Sequence, residues 1–225
     1  MPRPHIDEFW RIKVNSDIWN KVLELGIRQE FKHGDSIICA GELVTTLRFL
    51  QSGVVCMKRT SFDGNEKIIM QIESNSLFGE VPFFTKEPIS SSFTCYEDAV
   101  VYSFAKDTVE KMMETHPCIS KDIIHRLSQK VSVLSNQLAS LGLDSLEQRI
   151  VKFLFLRYNS MDLSSNETIS FGPMRMKDIA SILGVHRITL YKALKTLEKD
   201  GFIKMLGEHK LQLLNIDALA AIAYN

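Results

Sequence analysis

Apolar and polar positions along this chain follow three different periods, and each period predicts a different kind of element. Between residues 27 and 105 apolar residues come in short β-rich runs, at 36–40, 47–50, 54–58, 67–72, 92–95 and 100–104. His33-Gly34-Asp35, Gly41-Glu42, Ser52-Gly53, Asp63-Gly64-Asn65 and Ser74-Asn75 punctuate them. Runs this short at near-regular intervals predict an antiparallel sandwich or barrel, and Asp63-Gly64 is a strong hairpin signal. Ahead of this region, residues 6 to 26 mix large apolar side chains with charges and predict one or two short helices ending at Gly26. Behind it, a helix is predicted over Asp107 to Glu114, and Pro117 marks the start of another.

That next stretch carries the second period. Ile124, Leu127, Val131, Leu134, Leu138 and Leu141 recur with spacings of 3, 4, 3, 4 and 3 residues. This is an a/d seam with β-branched Ile124 and Val131 in one set and Leu127, Leu134 and Leu141 in the other, an arrangement that favours two parallel strands. The plainer alternative is one helix packed on its own domain. Leu141-Gly142-Leu143-Asp144 breaks the seam, and Ser145 with Gln148 forms a capping box for a helix over Leu146 to Tyr158. A hinge is placed there.

The third pattern lies toward the far end. Ile179, Ala180 and Leu183 share a face of a short helix, and Gly184 interrupts it where glycine alone takes positive φ without steric cost. Leu190, Ala193, Leu194 and Leu197 line the inner face of a second helix. The pattern reads as a helix-turn-helix. The start of its second helix, the part that enters the major groove, carries His186, Arg187, Ile188, Thr189, Lys192 and then Lys195. Arg187 suits guanine O6/N7 or a phosphate, whereas Ile188 suits only apolar matter such as a thymine methyl. A solvated face on an ordinary helical pair is the bland alternative, and an exposed Ile188 on a basic tip speaks against it. The polar stretch 159–167 predicts a loop, Thr168 to Phe171 a short strand, and the runs 202–206 and 210–214 a hairpin serving as a wing.

Composition changes this picture in three ways. The chain of 225 residues is 45% hydrophobic and 24% charged, the balance of a soluble globular protein with room for two domains. No apolar run is long enough to span a membrane and no signal peptide is visible, so a cytoplasmic protein with no membrane partner is expected. Net charge is zero, but residues 145–225 carry 11 Lys and Arg against 8 Asp and Glu (+3), leaving 16 against 19 (−3) for residues 1–144. A mildly basic tail on an acidic front fits DNA binding by one part only. Cys39, Cys56, Cys95 and Cys118 are scattered without a C-x-x-C pair, which excludes the usual zinc and iron–sulfur frameworks; no metal is expected. They read as small hydrophobes, with redox sensing as the alternative. No nucleophile–base pairing, P-loop or H-E-x-x-H occurs, so an enzyme is not expected.

A glycine-punctuated β-domain, a dimerising helix and a C-terminal winged helix-turn-helix, in that order, resemble the CRP/FNR family of bacterial transcription regulators. The motifs are Gly34-Asp35, Gly41-Glu42, Gly53, Asp63-Gly64 and Phe78-Gly79-Glu80, then Ile179-Ala180 and Gly184-Val185-His186-Arg187. The resemblance spans residues 20 to 215 and implies an α+β protein. Its parts are a jelly-roll-like β-barrel sensor (1–116), a dimerisation helix and hinge (117–143), and a winged helix-turn-helix (144–225). It further implies a homodimer binding a two-fold-symmetric double-stranded DNA site when an effector occupies the sensor, and RNA polymerase as a partner of an activator.

Departures from the family pattern narrow the effector. Members that bind cyclic nucleotides carry an Arg about ten residues after Gly-Glu to pair with the phosphate; here Gly79-Glu80 is followed by Ser90-Ser91-Ser92. A buried phosphate would lack its charge-assisted partner. The cysteine cluster of the oxygen-sensing branch and the haem ligands of the carbon-monoxide-sensing branch are also missing. Arg187-Ile188 replaces the Arg-Glu of members that read GTG-type half-sites, and Val185-His186-Arg187-Ile188-Thr189 is similar to the branch regulating reductive dehalogenation. That likeness implies a palindromic A/T-rich site and a small organic effector such as a halogenated aromatic, with a cyclic nucleotide as the alternative. Gly79, Glu80, Ser90 and Ser91 would line the barrel side of its site. Lys130, with Arg126, would meet an anionic group from the helix; the alternative for Lys130 is a side chain snorkelling over apolar surface.

Overall fold

The computed structural model describes residues 11–12, 17–159, 168–171, 174–207 and 209–224. Most of the stretch expected to be helical ahead of residue 17, the loop expected over 160–167, and Glu208 in the expected hairpin lie outside them. The chain divides into two compact units that meet in sequence between Leu134 and Ser135.

In the first unit, β1 (Arg11–Ile12) precedes two 3-10 turns at Trp19–Lys21 and Leu23–Leu25. There follow β2 (Ile27–Phe31), β3 (Ser36–Ile38), β4 (Thr46–Ser52), β5 (Val54–Thr60), β6 (Glu66–Glu73) and β7 (Ser76–Phe78). A short helix α1 (Glu80–Thr85) leads to β8 (Ser92–Cys95), β9 (Ala99–Ala105), α2 (Lys106–Thr115) and the long α3 (Pro117–Leu143), whose last residues, from Ser135, belong to the second unit. Two sheets, β1-β6-β5-β8-β3 and β2-β9-β4-β7, enclose one apolar core. All pairings are antiparallel except β1 on β6. The jelly-roll expectation holds. Period-2 alternation is clearest in β8, where Phe93 and Cys95 are buried and Ser92 and Thr94 are not. The helices expected over residues 6 to 26 are not formed where described: Arg11–Ile12 is a strand and the rest 3-10 turns, with Trp19 fully buried and packed on Phe49 and Phe104. Strands β2 and β7 and helix α1 were not expected. β2 shows mostly exposed side chains and β7 is buried throughout, so neither alternates.

Helix α3 turns two faces in different directions. Ile119, Ile123, Arg126 and Val133 are buried on one. The predicted seam lies on another, with Ile124 63%, Val131 62%, Leu134 43%, Leu138 74% and Leu141 48% exposed. Leu127, at the border, is half-buried against the β-domain core. Arg126 is 1% exposed and secures the inner face: its Nε donates to Asp122 and its Nη1 to the Asn75 carbonyl. Asp122 also accepts the indole N–H of Trp19 at 2.8 Å.

In the second unit, α4 (Leu146–Asn159) buries Ile150, Val151 and Phe153–Leu156. After β10 (Thr168–Ser170) come α5 (Met176–Leu183), α6 (Arg187–Lys199), β11 (Ile203–Met205), β12 (Lys210–Leu213) and α7 (Ile216–Tyr224). The expected strand and hairpin form one sheet, β10-β12-β11, and α7, not foreseen, packs against α4. The expected capping box is present: Gln148 N–H donates to Ser145 Oγ at 3.2 Å and Ser145 N–H to Gln148 Oε1 at 2.7 Å.

Replacing Arg126 by Met should cost about 3–5 kcal/mol in denaturant unfolding, because Asp122 is left buried without its cation. Adding Asp122→Leu should recover only part of it, since the Trp19 N–H then loses its acceptor.

Candidate effector cavity and nucleic-acid interface

In the first unit a cavity of about 370 Å³ opens between the β-domain and the sensor half of α3. Met57, Met70, Ile72, Ile89 and Phe93 supply its apolar walls, with Leu127, Val131 and Leu134 from α3. Gly79, Glu80, Ser90, Ser91 and Lys130 all line it, so the residues expected to bind effector do converge. Gly79 takes left-handed backbone geometry (φ 75°) and starts α1, which turns the 3% exposed Glu80 inward. Ser91 is buried and Ser90 exposed.

Two expectations need correction. Lys130 is not a free cation awaiting an anion: its ammonium pairs with the Glu80 carboxylate and donates to the Leu77 carbonyl at 2.9 Å. Arg126 does not line the cavity and is held by Asp122 and Asn75. The cavity therefore holds a buried ion pair that satisfies itself. Breaking one partner away is costly, because the other then stays buried and unpaired. The guanidinium nearest Gly79 belongs to Arg48 of β4, which the sequence reading passed over. Its Nη1 would stand 3.9 Å from a Cβ on Gly79 and has no hydrogen-bond partner among the described residues, yet Arg48 does not line the cavity.

In the second unit, Gly184 ends α5 with φ 70° and its N–H returns to the carbonyls of Ala180 and Ser181. The turn the sequence predicted is thus a left-handed C-cap. Leu190, Leu194 and Leu197 of α6 are buried, and Ile179, Ala180, Ile182 and Leu183 of α5. His186, Arg187, Ile188, Thr189, Lys192 and Lys195 are all exposed on one end and flank of α6. Lys195 is not free: it pairs with Glu198 at 2.7 Å and sits 5.8 Å from the centre of the Tyr191 ring. Hydrogen bonding to Lys195, and then to the Met205 N–H, holds the Glu198 carboxyl below its ordinary range. A second cavity of about 700 Å³ runs beside this helix, lined by Met176, Arg187, Ile188, Tyr191, Met205 and Gly207. Tyr191, Met176 and Met205 were missed, although Tyr191 stands three residues after Ile188, where a helix face repeats.

Where α3 gives way to α4, Asp144 is bound by Lys152 at 2.8 Å through both oxygens and by Ser140 Oγ at 2.6 Å. The Gly142 break does not end the helix, which runs through Leu143. Cys95 is buried, and that burial, aided by Asp35 and Asp98, pushes its thiol up to about 11. It is a protonated core group at neutral pH; Cys56 is buried too, but Cys39 and Cys118 are exposed, so the reading of all four as small hydrophobes holds for two of them. Among the described residues no group of side chains is arranged to hold a metal ion, and no helix is long and apolar enough to cross a membrane.

Residues 28–116 match the cyclic nucleotide-binding domain, and residues 148–222 match the Crp-like helix-turn-helix domain. The chain is 25% identical over 183 residues to the CRP-like cAMP-activated global transcriptional regulator of Mycobacterium tuberculosis, covering 81% of this chain and 82% of that protein. It is 21% identical over 197 residues to the cyclic AMP receptor protein of Thermus thermophilus, 88% of each. The fold is shared with CprK complexed with OCPA (TM-score 0.73, 22% identity, 92% of this chain and 94% of that one). It is shared also with the c-di-GMP responsive global regulator CLP of Xanthomonas campestris (TM-score 0.78, 18% identity, 88% and 98%). A sensor domain followed by a Crp-like reader defines an effector-binding transcription regulator, not an enzyme. With both domains matched in this order, the chain is a regulator of the CRP/FNR family.

Asp144 offers a test of the junction. Burial alone would raise its carboxyl, but hydrogen bonds from Lys152 and Ser140 and the charges of Lys152 and Arg149 hold it below the ordinary carboxylate range. A depressed carboxylate stabilises above its unfolded pKa and loses that effect as pH falls through the folded value. Asp144→Asn should therefore lower unfolding stability by about 1–2 kcal/mol at neutral pH. The gap to the native protein should close on acidification below the ordinary carboxylate range.

Proposed function

We propose that this chain is a cytoplasmic, effector-responsive activator that binds a palindromic A/T-rich promoter site as a homodimer. The observation that carries the proposal is that Val131 and Leu134 belong to two surfaces at once. They line the effector cavity, and they stand in the exposed a/d seam of α3. Five seam side chains between 43% and 74% exposed form a stripe that a second copy of the same helix would cover. A molecule in the cavity then touches residues of the dimer contact. Its differential affinity for two pairings of the seam shifts their populations, and with them the spacing of the two recognition helices. DNA reading falls to His186, Arg187, Ile188, Thr189 and Lys192, with Lys195 held by Glu198, and RNA polymerase is the further partner.

The effector is a small, uncharged organic molecule, for which a halogenated aromatic is the type. The walls are apolar, and the Glu80–Lys130 pair meets its own charge. An anion arriving at Lys130 must strand a buried carboxylate, whereas a neutral ring leaves the pair intact. The second reading is a cyclic nucleotide. The match of residues 28–116 and the retained Gly79-Glu80 favour it, and the lack of any arginine among the lining residues opposes it.

Selection of random duplexes by the full chain should return A/T-rich palindromes with half-site centres about 34 Å apart; GTG-type half-sites would overturn the assignment of Ile188. In a thermal-shift screen, neutral halogenated aromatics should raise Tm and cyclic nucleotides should not, the reverse result selecting the second reading. Leu138→Asp, at a 74% exposed position, should leave the protomer folded and yield monomers in sedimentation velocity. A variant that remains dimeric would remove the seam from the account.

A further inference from the structure

We infer that the cleft between α6 and the wing reads the 5-methyl groups of two neighbouring pyrimidines in the major groove, with Tyr191 beside Ile188 as a specificity-determining residue. This rests on the DNA-binding reading above, which already gives Ile188 to the duplex, and extends it to Tyr191 and the cleft beside it, to which that reading assigns nothing. The cleft is walled by Met176, Ile188, Tyr191 and Met205, with Arg187 at its edge. Ile188 is 70% and Tyr191 50% exposed, and Leu206 of the wing is 46% exposed. Ile188, Met176 and Met205 have nothing to offer phosphate or the donors and acceptors of base edges, and Tyr191 adds a single phenolic hydroxyl to an otherwise apolar ring. The one apolar group that a base pair displays in the major groove is the pyrimidine 5-methyl.

Charge identifies the occupant as a duplex. From residue 175 to 210 the chain holds eight Lys and Arg against four Asp and Glu. Two of those acids are engaged locally, Asp178 capping α5 and Glu198 holding Lys195. Arg187 lines the cleft and Lys192, next to Tyr191 in the chain, is exposed, as are Lys199, Lys204 and Lys210 elsewhere on α6 and the wing. A basic unit with an apolar cleft suits phosphates outside and methyl groups within. Spacing agrees as well. Ile188 and Tyr191 are one face apart by about 4.5 Å of helix rise, close to the ~3.4 Å between successive base pairs.

The cleft is also held open before anything binds. Glu198 accepts the Met205 N–H at 2.8 Å with one oxygen and pairs with Lys195 at 2.7 Å with the other. Lys195 in turn lies 5.8 Å from the Tyr191 ring centre. Glu198 is thus a positioning residue that ties the wing strand to the helix on which Tyr191 stands.

The test uses the full chain and the sequences it selects from random duplex DNA. Replacing thymine by uracil at single positions removes one methyl and leaves every hydrogen-bonding group in place. At two adjacent positions of each half-site the native chain should lose about three- to fivefold in affinity per methyl, the factor expected for uncovering one methyl-sized group. 5-Methylcytosine placed there should bind more tightly than cytosine. Tyr191→Ala should abolish the uracil penalty at one of the two positions and Ile188→Ala at the other, a readout that general misfolding would not confine to one base pair. If selected sites are bound equally with uracil throughout, the methyl inference falls while DNA binding stands. If no duplex sequence is selected at all, the DNA-binding reading fails first and takes this inference with it.

Discussion

Helix α3 has one apolar face too many for a single chain. Its inner face is spent on the β-domain, where Ile119, Ile123 and Val133 are buried and Arg126 is bound to Asp122 and Asn75. Its seam, in contrast, leaves Ile124, Val131, Leu134, Leu138 and Leu141 exposed. Burying a side chain of this size contributes about 1.5–3 kcal/mol, so five of them represent a strong drive toward association. The Arg126 network makes that drive useful. It fixes which side of the helix faces inward, and so which side is left for a second copy.

The cavity lies where these two faces meet. Lys130 reaches from α3 to Glu80 and Leu77, two groups on the segment that turns from β7 into α1. Val131 and Leu134 follow on the neighbouring face. In the proposed function an occupant would not need to move the helix bodily to be felt. Val131 and Leu134 line the cavity and stand in the exposed stripe, whereas the Arg126 anchor lies outside it, so the proposed coupling of sensing to association runs through shared side chains.

Much of this was legible in the sequence, and the misses have physical reasons. Glycine punctuation and short β runs identified the barrel, since turns with positive φ favour glycine, with Asn75 and Lys86 as the non-glycine cases among the described residues. The seam, the Ser145–Gln148 capping box and the Gly184 turn are local patterns written in neighbouring residues, and they survive folding. Strand β7 escaped because all three of its residues are buried and no alternation marks it. Helix α1, six residues long with Pro82 inside it, carries too few turns to show a period. The residues expected to bind effector do line one cavity, but the charge of Lys130 was assigned to a ligand. Lys130 and Glu80 are fifty residues apart, and no spacing rule reveals that they neutralise each other.

The same arithmetic of charge recurs in the reader and decides what each site recognises. Lys195 was expected among the DNA contacts, and the structure gives it Glu198. In both units, then, a lysine on the working helix is matched by a glutamate, and the neighbouring unpaired surface is apolar: Val131 and Leu134 in one, Ile188 and Tyr191 in the other. Paired charges in place hold geometry, because losing either partner exposes the other, but they add little selectivity for a new anion. In the proposed function the sensor therefore discriminates by shape and apolar contact, and the reader by the methyl contacts inferred for Ile188 and Tyr191 together with the exposed Arg187 and Lys192.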